Sequence, residues 1–216
     1  ADDQTGQIRP RIGELAQRAA THKDYLIADL LANGGTAGFN SYDGVSFFSD
    51  AHVSGVSGVQ SNNVSLEIGS AGSPTVEEFK SAIRQAIGQM LTFKDDQGVP
   101  MVLAVSGLHC VVPPSMYFTA LEAVSATLIA STSNVLQGVA RVIGLPWLSN
   151  ATRWYLLKTD GVVRPLIFQD REPVEFGSLA ESSDEAFRRE KFLYGVRARY
   201  RMAYGYWQYA VAVQFS

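Results

Sequence analysis

The segment from Phe192 to Phe215 restricts the fold more than any other part of the sequence, because almost every residue in it favours a β-strand. Glycine interrupts the segment only at Gly195 and Gly205. A strand in a globular protein is usually about five to six residues long. The segment is therefore predicted to bend, or to extend beyond the core of a single subunit.

Within this segment Arg197, Arg199 and Arg201 alternate with residues such as Tyr200 and Met202. Side chains point to opposite faces along a strand, so the arginines form a stripe on one face. Such a stripe could contact phosphate groups, or it could pair with acidic groups across a subunit boundary or within its own domain. The net charge is −3 and no other basic patch is evident, so ion pairing is favoured.

Near the beginning of the sequence, one long helix is predicted from Gln7 to Ala32. Its apolar residues recur at spacings of three, four and seven, and Asn33-Gly34-Gly35 ends the pattern. At 1.5 Å per residue the helix would be roughly 40 Å long, which is more than a domain of this size needs. We interpret it as a helix that lies across a sheet.

The middle of the chain alternates strands and helices. A loop region with short strands is predicted over residues 34–73, and a helix over 75–91 begins with the capping box Thr75-x-x-Glu78. The apolar run 101–105 predicts a buried strand. Segments 153–157 and 164–169 predict two more strands around a turn at Asp160-Gly161. This order indicates an α+β or α/β protein.

The composition excludes several classes of protein. Charged residues make up 18% of the chain, against about 25% in an average soluble domain, which is typical of a surface that other chains cover. The negative net charge disfavours a dedicated nucleic-acid binder. No apolar stretch is long enough to predict a membrane span. The single cysteine, Cys110, excludes an internal disulfide and a cysteine-based zinc site.

The histidines do not form a catalytic or metal-binding pattern. His22, His52 and His109 lack metal-ligand spacing. His109 and Cys110 are adjacent, and adjacent residues on an extended chain point to opposite faces, so a thiol–base pair is disfavoured. We therefore predict no catalytic, cofactor-binding or metal-binding residues.

Other polar groups have structural interpretations that we prefer. Asp43, Asp50 and His52 could bind a cation, but their spacing matches no known loop, and turn chemistry is favoured. Ser57 lies between two glycines, but the pattern is not that of a hydrolase nucleophile. The acids of segment 170–175 could act as paired carboxylates, although a surface ion pair explains them equally well.

Several motifs resemble the Mu-like phage major head subunit family. Four of them run in the family's order in the last third of the chain, namely 154–157 (WYLL), 164–169 (RPLIFQ), 192–195 (FLYG) and 203–208 (AYGYWQ). Upstream, Tyr42-Asp43-Gly44 with Phe47-Phe48 and His52 resembles the family's segment after the long helix. Together these matches span nearly the whole sequence.

The resemblance implies a Hong Kong 97-like capsid fold of the α+β class. It implies a long spine helix packed on a sheet with a long C-terminal strand, and a mixed α/β axial domain. The first part of the peripheral domain would comprise residues 1–93, the axial domain 94–164, and the second part of the peripheral domain 165–216. The chain is expected to be a fragment that lacks the family's N-terminal arm and extended loop.

The resemblance also implies a function, namely that of a structural subunit of an icosahedral tailed-phage capsid rather than an enzyme. The subunit would self-assemble into pentamers and hexamers around packaged DNA, with scaffold, portal and decoration proteins as further partners. It would bind no nucleic acid specifically, no membrane and no cofactor. It would be found in the virion, and in the host cytoplasm during assembly. The alternatives are an encapsulin-like nanocompartment shell and a small hydrolase that uses Ser57 or His52.

Overall fold

The computed structural model of the protein describes residues 6–102, 104–129, 131–179, 184–189 and 193–216. Its α-helices are α1 (Ile8–Asn33), α2 (Val76–Leu91), α3 (Tyr117–Ser125) and α4 (Asp184–Arg189). Its strands are β1 (His52–Val53), β2 (Val59–Gln60), β3 (Asn63–Leu66), β4 (Leu108–Val112), β5 (Leu128–Ile129), β6 (Thr132–Ser133), β7 (Arg141–Gly144), β8 (Arg153–Lys158), β9 (Leu166–Leu179), β10 (Leu193–Tyr204) and β11 (Ala210–Phe215). Short 3-10 turns occur at Pro114–Met116 and Trp207–Tyr209.

These elements form two compact units. One comprises the described residues of Ala1–Leu26 and Phe168–Met202, and the other comprises Ile27–Ile167 and Ala203–Ser216. The predicted division at residues 93/94 and 164/165 uses different boundaries. The labels peripheral and axial therefore remain predictions.

The second unit is built on a five-stranded sheet with the order β3-β11-β8-β4-β7. The β3–β11 and β4–β7 pairs are parallel, whereas β8 is antiparallel to both of its neighbours. β8 is central, and its residues Trp154, Tyr155, Leu156 and Leu157 are all buried. Because apolar side chains fill both of its faces, the strand predicted at 153–157 reads as a continuous apolar run.

Helix α2 packs on this sheet and begins as the sequence predicts. The Thr75 side chain accepts a hydrogen bond from the Glu78 backbone N–H, and the Glu78 carboxylate accepts one from the Thr75 backbone N–H. Phe79 in the first turn stacks on Trp154 of β8, with 4.8 Å between ring centroids. The local cap therefore fixes the start of α2 at the position from which its apolar face meets the sheet.

The first unit contains the beginning of α1 and an antiparallel ribbon formed by β9 and β10. The direction follows from side-chain contacts, since Phe168 lies against Tyr200 and Phe176 lies against Tyr194. From α1, the His22 ring nitrogen Nδ1 lies 2.7 Å from the Tyr200 hydroxyl. The long helix is thus present over Ile8–Asn33, and within this unit it packs on the ribbon.

The long C-terminal segment bends, which is one of the two alternatives predicted for it, but the position of the bend was not predicted. Phe192 lies outside the described residues, and the remainder is two strands, β10 and β11, separated by the 3-10 turn at Trp207–Tyr209. At the break, a β-carbon on Gly205 would collide with the carbonyl oxygen of Arg164, and the Gly205 N–H donates to the carbonyl of Pro165. A chain that approaches another backbone this closely requires glycine and cannot continue a regular strand.

One other prediction is wrong in the described structure. No strand forms in the described part of 101–105, because Met101 instead donates its N–H to the carbonyl of Phe93 and the next strand begins only at Leu108. The two strands predicted on either side of Asp160-Gly161 are present as β8 and β9, but they do not pair with each other. Both edges of β8 are occupied by β4 and β11, so β9 pairs with β10.

Replacing Trp207 with alanine should destabilise the protein strongly. The indole is fully buried and stacks on the His52 ring, with centroids 4.1 Å apart and planes 8° from parallel. Loss of a buried indole typically costs about 3–5 kcal/mol. Urea unfolding should show this loss for Trp207→Ala but only about 0.5 kcal/mol or less for Trp147→Ala, which removes an exposed indole. Equal effects of the two substitutions would contradict the packing described.

The capping box should make stability depend on pH in the acid range. Hydrogen bonds from the Gly69 N–H, the Thr75 N–H and the Thr75 hydroxyl lower the pKa of the Glu78 carboxyl from its ordinary value of 4.5. A lowered pKa in the folded state gives stability that is fully present above the unfolded-state pKa and is lost as the pH falls through the folded-state pKa. The difference in unfolding free energy between the wild type and Glu78→Gln should therefore shrink below about pH 4.5. The control Glu67→Gln, at an exposed carboxylate with no described partner, should show no such change.

Candidate assembly surfaces

The arginine stripe lies on β10, whose residues alternate between exposed and half-buried positions. Arg197, Arg199 and Arg201 are on the exposed side, while Val196 and Ala198 are on the half-buried side. The alternation places the three guanidinium groups on the exposed face of β10, where they are accessible to other molecules.

Two of the three arginines have partners on the neighbouring strand. Arg199 Nη1 lies 3.0 Å from Glu172 Oε1, and Arg197 Nη2 lies 3.3 Å from Glu175 Oε2. The Arg197 side chain is 73% exposed, so solvent screens its pair, and exposed pairs contribute only about 0.2–1 kcal/mol. Within the described segments, Arg201 forms no ion pair. The acids of segment 170–175 therefore act partly as ion-pair partners, and Arg201 keeps its charge unpaired.

Arg201 and other arginines line an open groove of about 930 Å³ inside the first unit. The apolar part of its wall comes from α1, β9 and β10, through Leu15, Ala19, Leu26, Val174, Val196 and Ala198. Its basic side chains are Arg18, Arg171, Arg199 and Arg201. None of the described residues that line the groove is acidic. The chemistry of the groove therefore suits an acidic or amphipathic partner.

In the second unit, large apolar side chains are exposed along the segment that contains α3, β5 and β6. Phe118 on α3 is 78% exposed, and Leu128 and Val135 are also well exposed. The β1–β2 hairpin likewise exposes Val56 and Val59. Single exposed apolar residues are common, but several on one segment of a charge-poor chain indicate a surface that a partner covers.

The acidic and histidine residues near β1 form a buried structural cluster. His52 Nδ1 lies 2.6 Å from Asp43 Oδ2, and His52 Nε2 lies 3.2 Å from Asn62 Oδ1. The same Asn62 oxygen accepts from the Ser49 N–H, and the Asn62 amide group donates to the Phe47 carbonyl, which fixes the amide orientation. Both ring nitrogens therefore face oxygen atoms, and the ring is held from two sides.

The three residues Asp43, Asp50 and His52, for which turn chemistry was favoured over cation binding, do not all converge on one point. Asp50 accepts a hydrogen bond from the Ser61 hydroxyl rather than facing His52. In the described part of the chain, no group of three or more histidine, cysteine, aspartate or glutamate side chains is placed to hold a metal ion. The cluster instead joins the loop region to Trp207, on which His52 stacks.

The remaining candidate nucleophiles have no base beside them. Ser57 Oγ donates to the Gly58 carbonyl and accepts from the Ser54 N–H. Cys110 is completely buried, and this burial raises the pKa of its thiol well above the usual range. His109 hydrogen-bonds to Thr159 instead. Among the described residues, these groups do not form the nucleophile–base pair that a hydrolase needs.

Of the helices in the described segments, none combines the length and the apolar character that a membrane span needs. The functional features that the structure presents are therefore surfaces, namely the arginine stripe with its groove and the exposed apolar side chains of the second unit.

The sequence also shows which protein family the chain belongs to. The sequence profile of the family described as "Mu-like prophage major head subunit gpT" matches residues 1–76, 75–148 and 149–216. The chain belongs to this family. The resemblance stated from the motifs of the last third is thus confirmed over the whole sequence, and a phage head subunit is favoured over an encapsulin-like shell.

Named relatives agree with this membership. The chain is 35% identical over 68 residues to the Mu-like prophage FluMu major head subunit of Haemophilus influenzae, a match that covers 31% of this chain and 22% of the relative. It is 36% identical over 85 residues to the major capsid protein of Escherichia phage Mu, covering 39% and 25%. The matched regions are thus about a quarter of the length of these relatives.

Solved structures show the fold of the head-subunit chain. It resembles a chain of the capsid of cyanophage P-SCSP1u with a TM-score of 0.60 at 10% identity, covering 97% of this chain and 66% of that one. It resembles a chain of the mature capsid of bacteriophage PhiM1 with a TM-score of 0.57 at 12% identity, covering 100% and 66%. The predicted Hong Kong 97-like fold is therefore confirmed.

The exposed apolar side chains of the second unit were not predicted from the sequence. Tyr117 and Phe118 are adjacent on α3, and the former packs against the core while the latter faces outward. A signal was present, because a short helix with aromatic residues on two faces cannot bury both in one core. The second apolar face of α3, and with it this surface, could therefore have been predicted from the sequence.

Proposed function

We propose that the protein is the structural subunit of a tailed-phage head and self-assembles into the pentamers and hexamers of an icosahedral shell around packaged DNA. The match of the family profile along the whole chain carries this proposal. The capsid fold supports it. In the same proposal, its role is structural rather than catalytic.

The surfaces support an assembly role in physical terms. A shell subunit is covered on several sides by its neighbours, so it needs fewer charged groups to remain soluble and more apolar groups at its contacts. The low charge content and the exposed side chains of α3 and of the β1–β2 hairpin fit this need. Repeated contacts between unlike surfaces close into rings when the rotation between subunits permits it.

Further parts of the proposal follow from the way such shells are made. Assembly would take place in the cytoplasm of the bacterial host with scaffold, portal and decoration proteins as partners, and the product would be the virion capsid. The negative net charge fits a container that does not bind its DNA tightly. We further propose that the first unit contributes to the peripheral domain and that segment 94–164 contributes to the axial domain.

Electron microscopy of the full-length protein, expressed alone and together with its neighbouring genes, tests this function. We expect closed shells, or sheets and tubes with a hexagonal lattice, because these are the products of pentamer- and hexamer-forming subunits. Only small oligomers under every condition would contradict the proposal. Shells that form with protein cargo and without any phage partner would favour the nanocompartment alternative.

We also propose that the arginine stripe contacts a neighbouring subunit, with Arg201 as its free member. Arg201→Glu in the full-length protein should reduce shell yield, because it places a carboxylate where an acidic partner would bind. Arg84→Glu, at an exposed arginine of α2 with no described partner, is the matched charge reversal. Shell yield by sedimentation, with the melting temperature as a check on folding, should fall at least tenfold for Arg201→Glu only. Equal yields for the two variants would contradict a contact at Arg201.

A further inference from the structure

A pocket of about 400 Å³ in the second unit is not explained by the surfaces described so far. It is formed by side chains from four separate segments, namely Tyr42, Ser54, Asp95, Asp96, Met101, Tyr206 and Gln208. Tyr42 and Tyr206 meet edge to face, with ring centroids 5.5 Å apart, and both rings are partly exposed. The pocket thus combines two aromatic walls with two carboxylates.

The least exposed residue that lines this pocket is Gln208, which is only 1% exposed. Its Nε2 donates a hydrogen bond to the Tyr42 hydroxyl at 2.7 Å, but its Oε1 has no partner among the described residues. A buried acceptor without a hydrogen bond is unfavourable, so such atoms usually mark a missing donor. The amide oxygen is therefore a place for an N–H or O–H group from outside the chain.

The carboxylates at the rim carry the charge of the site. Asp95 uses one oxygen, Oδ1, to accept hydrogen bonds from the N–H groups of Gln97 and Val99, so it is held in a turn. The Asp96 carboxylate is exposed and has no partner in the described segments. Among the described residues that line the pocket, none is basic. The site therefore offers negative charge and unfilled acceptors to a cation.

We propose that this pocket, which we call the tyrosine pocket, receives an arginine side chain from a second copy of the same chain. A guanidinium is planar, so it can lie against a tyrosine ring, and its five N–H groups can serve the Gln208 oxygen and the Asp96 carboxylate together. The proposal rests on the proposed shell function, since that function supplies a second copy at high local concentration.

Arginine fits the pocket better than a metal ion does. One oxygen of Asp95 is already engaged by two backbone N–H groups, and the described residues contain no metal-binding group of three acidic, histidine or cysteine side chains. Exposed arginines without a described partner are available on the chain itself, including Arg18, Arg171 and Arg201. Tyrosine and arginine are also the residues that most often dominate the free energy of protein interfaces.

Photo-crosslinking in the full-length protein identifies the occupant directly. Tyr206 is replaced by p-benzoylphenylalanine, which removes no described side-chain hydrogen bond, and unlabelled and 15N-labelled subunits are mixed before assembly. We expect cross-linked peptide pairs that combine the two isotopes, joined within a few residues of an arginine. The same replacement at Tyr25, which is 45% exposed against 38% for Tyr206 but lies outside the pocket, should not give these pairs.

Substitutions that change the charge at Asp96 test how much the tyrosine pocket contributes to assembly. Asp96→Asn should lower the yield of shells a few-fold, and Asp96→Arg should lower it at least tenfold, while Glu67→Arg, the same reversal at another exposed acid of the second unit, should stay within twofold of the wild type. Unchanged melting temperatures show that the monomer still folds.

The outcomes of these experiments distinguish a failure of the proposed arginine contact in the tyrosine pocket from a failure of the proposed shell function. Wild-type shells with a wild-type yield for Asp96→Arg would overturn the pocket and leave the shell function standing. Absence of any cross-link between copies, or links only to peptides without arginine, would overturn the pocket whether or not shells form. Failure of the wild type to assemble under any condition would contradict the proposed function itself.

Discussion

The stack of His52 on Trp207 is the interaction on which the second unit depends. Trp207 occupies the 3-10 turn that separates β10 from β11, and His52 lies at the start of the loop region's first short strand. The Asp43 carboxylate and the Asn62 amide hold the histidine ring on opposite sides. One buried contact thus joins the loop region, which has little regular structure, to the end of the chain that completes the sheet.

The same region explains the chemistry of the surface. Gln208 directly follows Trp207, so the turn that buries the indole also places the Gln208 side chain in the lining of the tyrosine pocket. Tyr206, on the other side of Trp207, is turned outward as a wall of that pocket. A single turn of chain therefore supplies a core residue and two residues of a candidate contact, and the rigidity of the first restricts the geometry of the others. Contacts made from such a turn bind with little loss of conformational entropy.

Local signals made much of the fold predictable. α1, α2 with its capping box, and β8 were identified because helix periodicity, caps and continuous apolar runs depend on neighbouring residues only. The break at Gly205 was missed, since the collision that demands glycine involves Arg164, which is distant in sequence. The strand predicted over 101–105 failed for the related reason that its backbone is used in a turn with Phe93. The arginine stripe was visible as an alternation, but the tyrosine pocket draws on four segments that only the sheet brings together.

The sheet order has a consequence for how the chain reaches its native state. β11, the last strand of the sequence, does not sit at an edge but lies between β3 and β8. Its end meets β3 across a separation of 150 residues, where Ser216 hydrogen-bonds to Leu66. Contacts between residues this far apart in sequence form slowly, because the long loop between them must close before the contacts contribute any stabilising free energy. During synthesis the position between β3 and β8 stays vacant until β11 emerges from the ribosome, so the five-stranded sheet cannot be completed before residues 210–215 are translated.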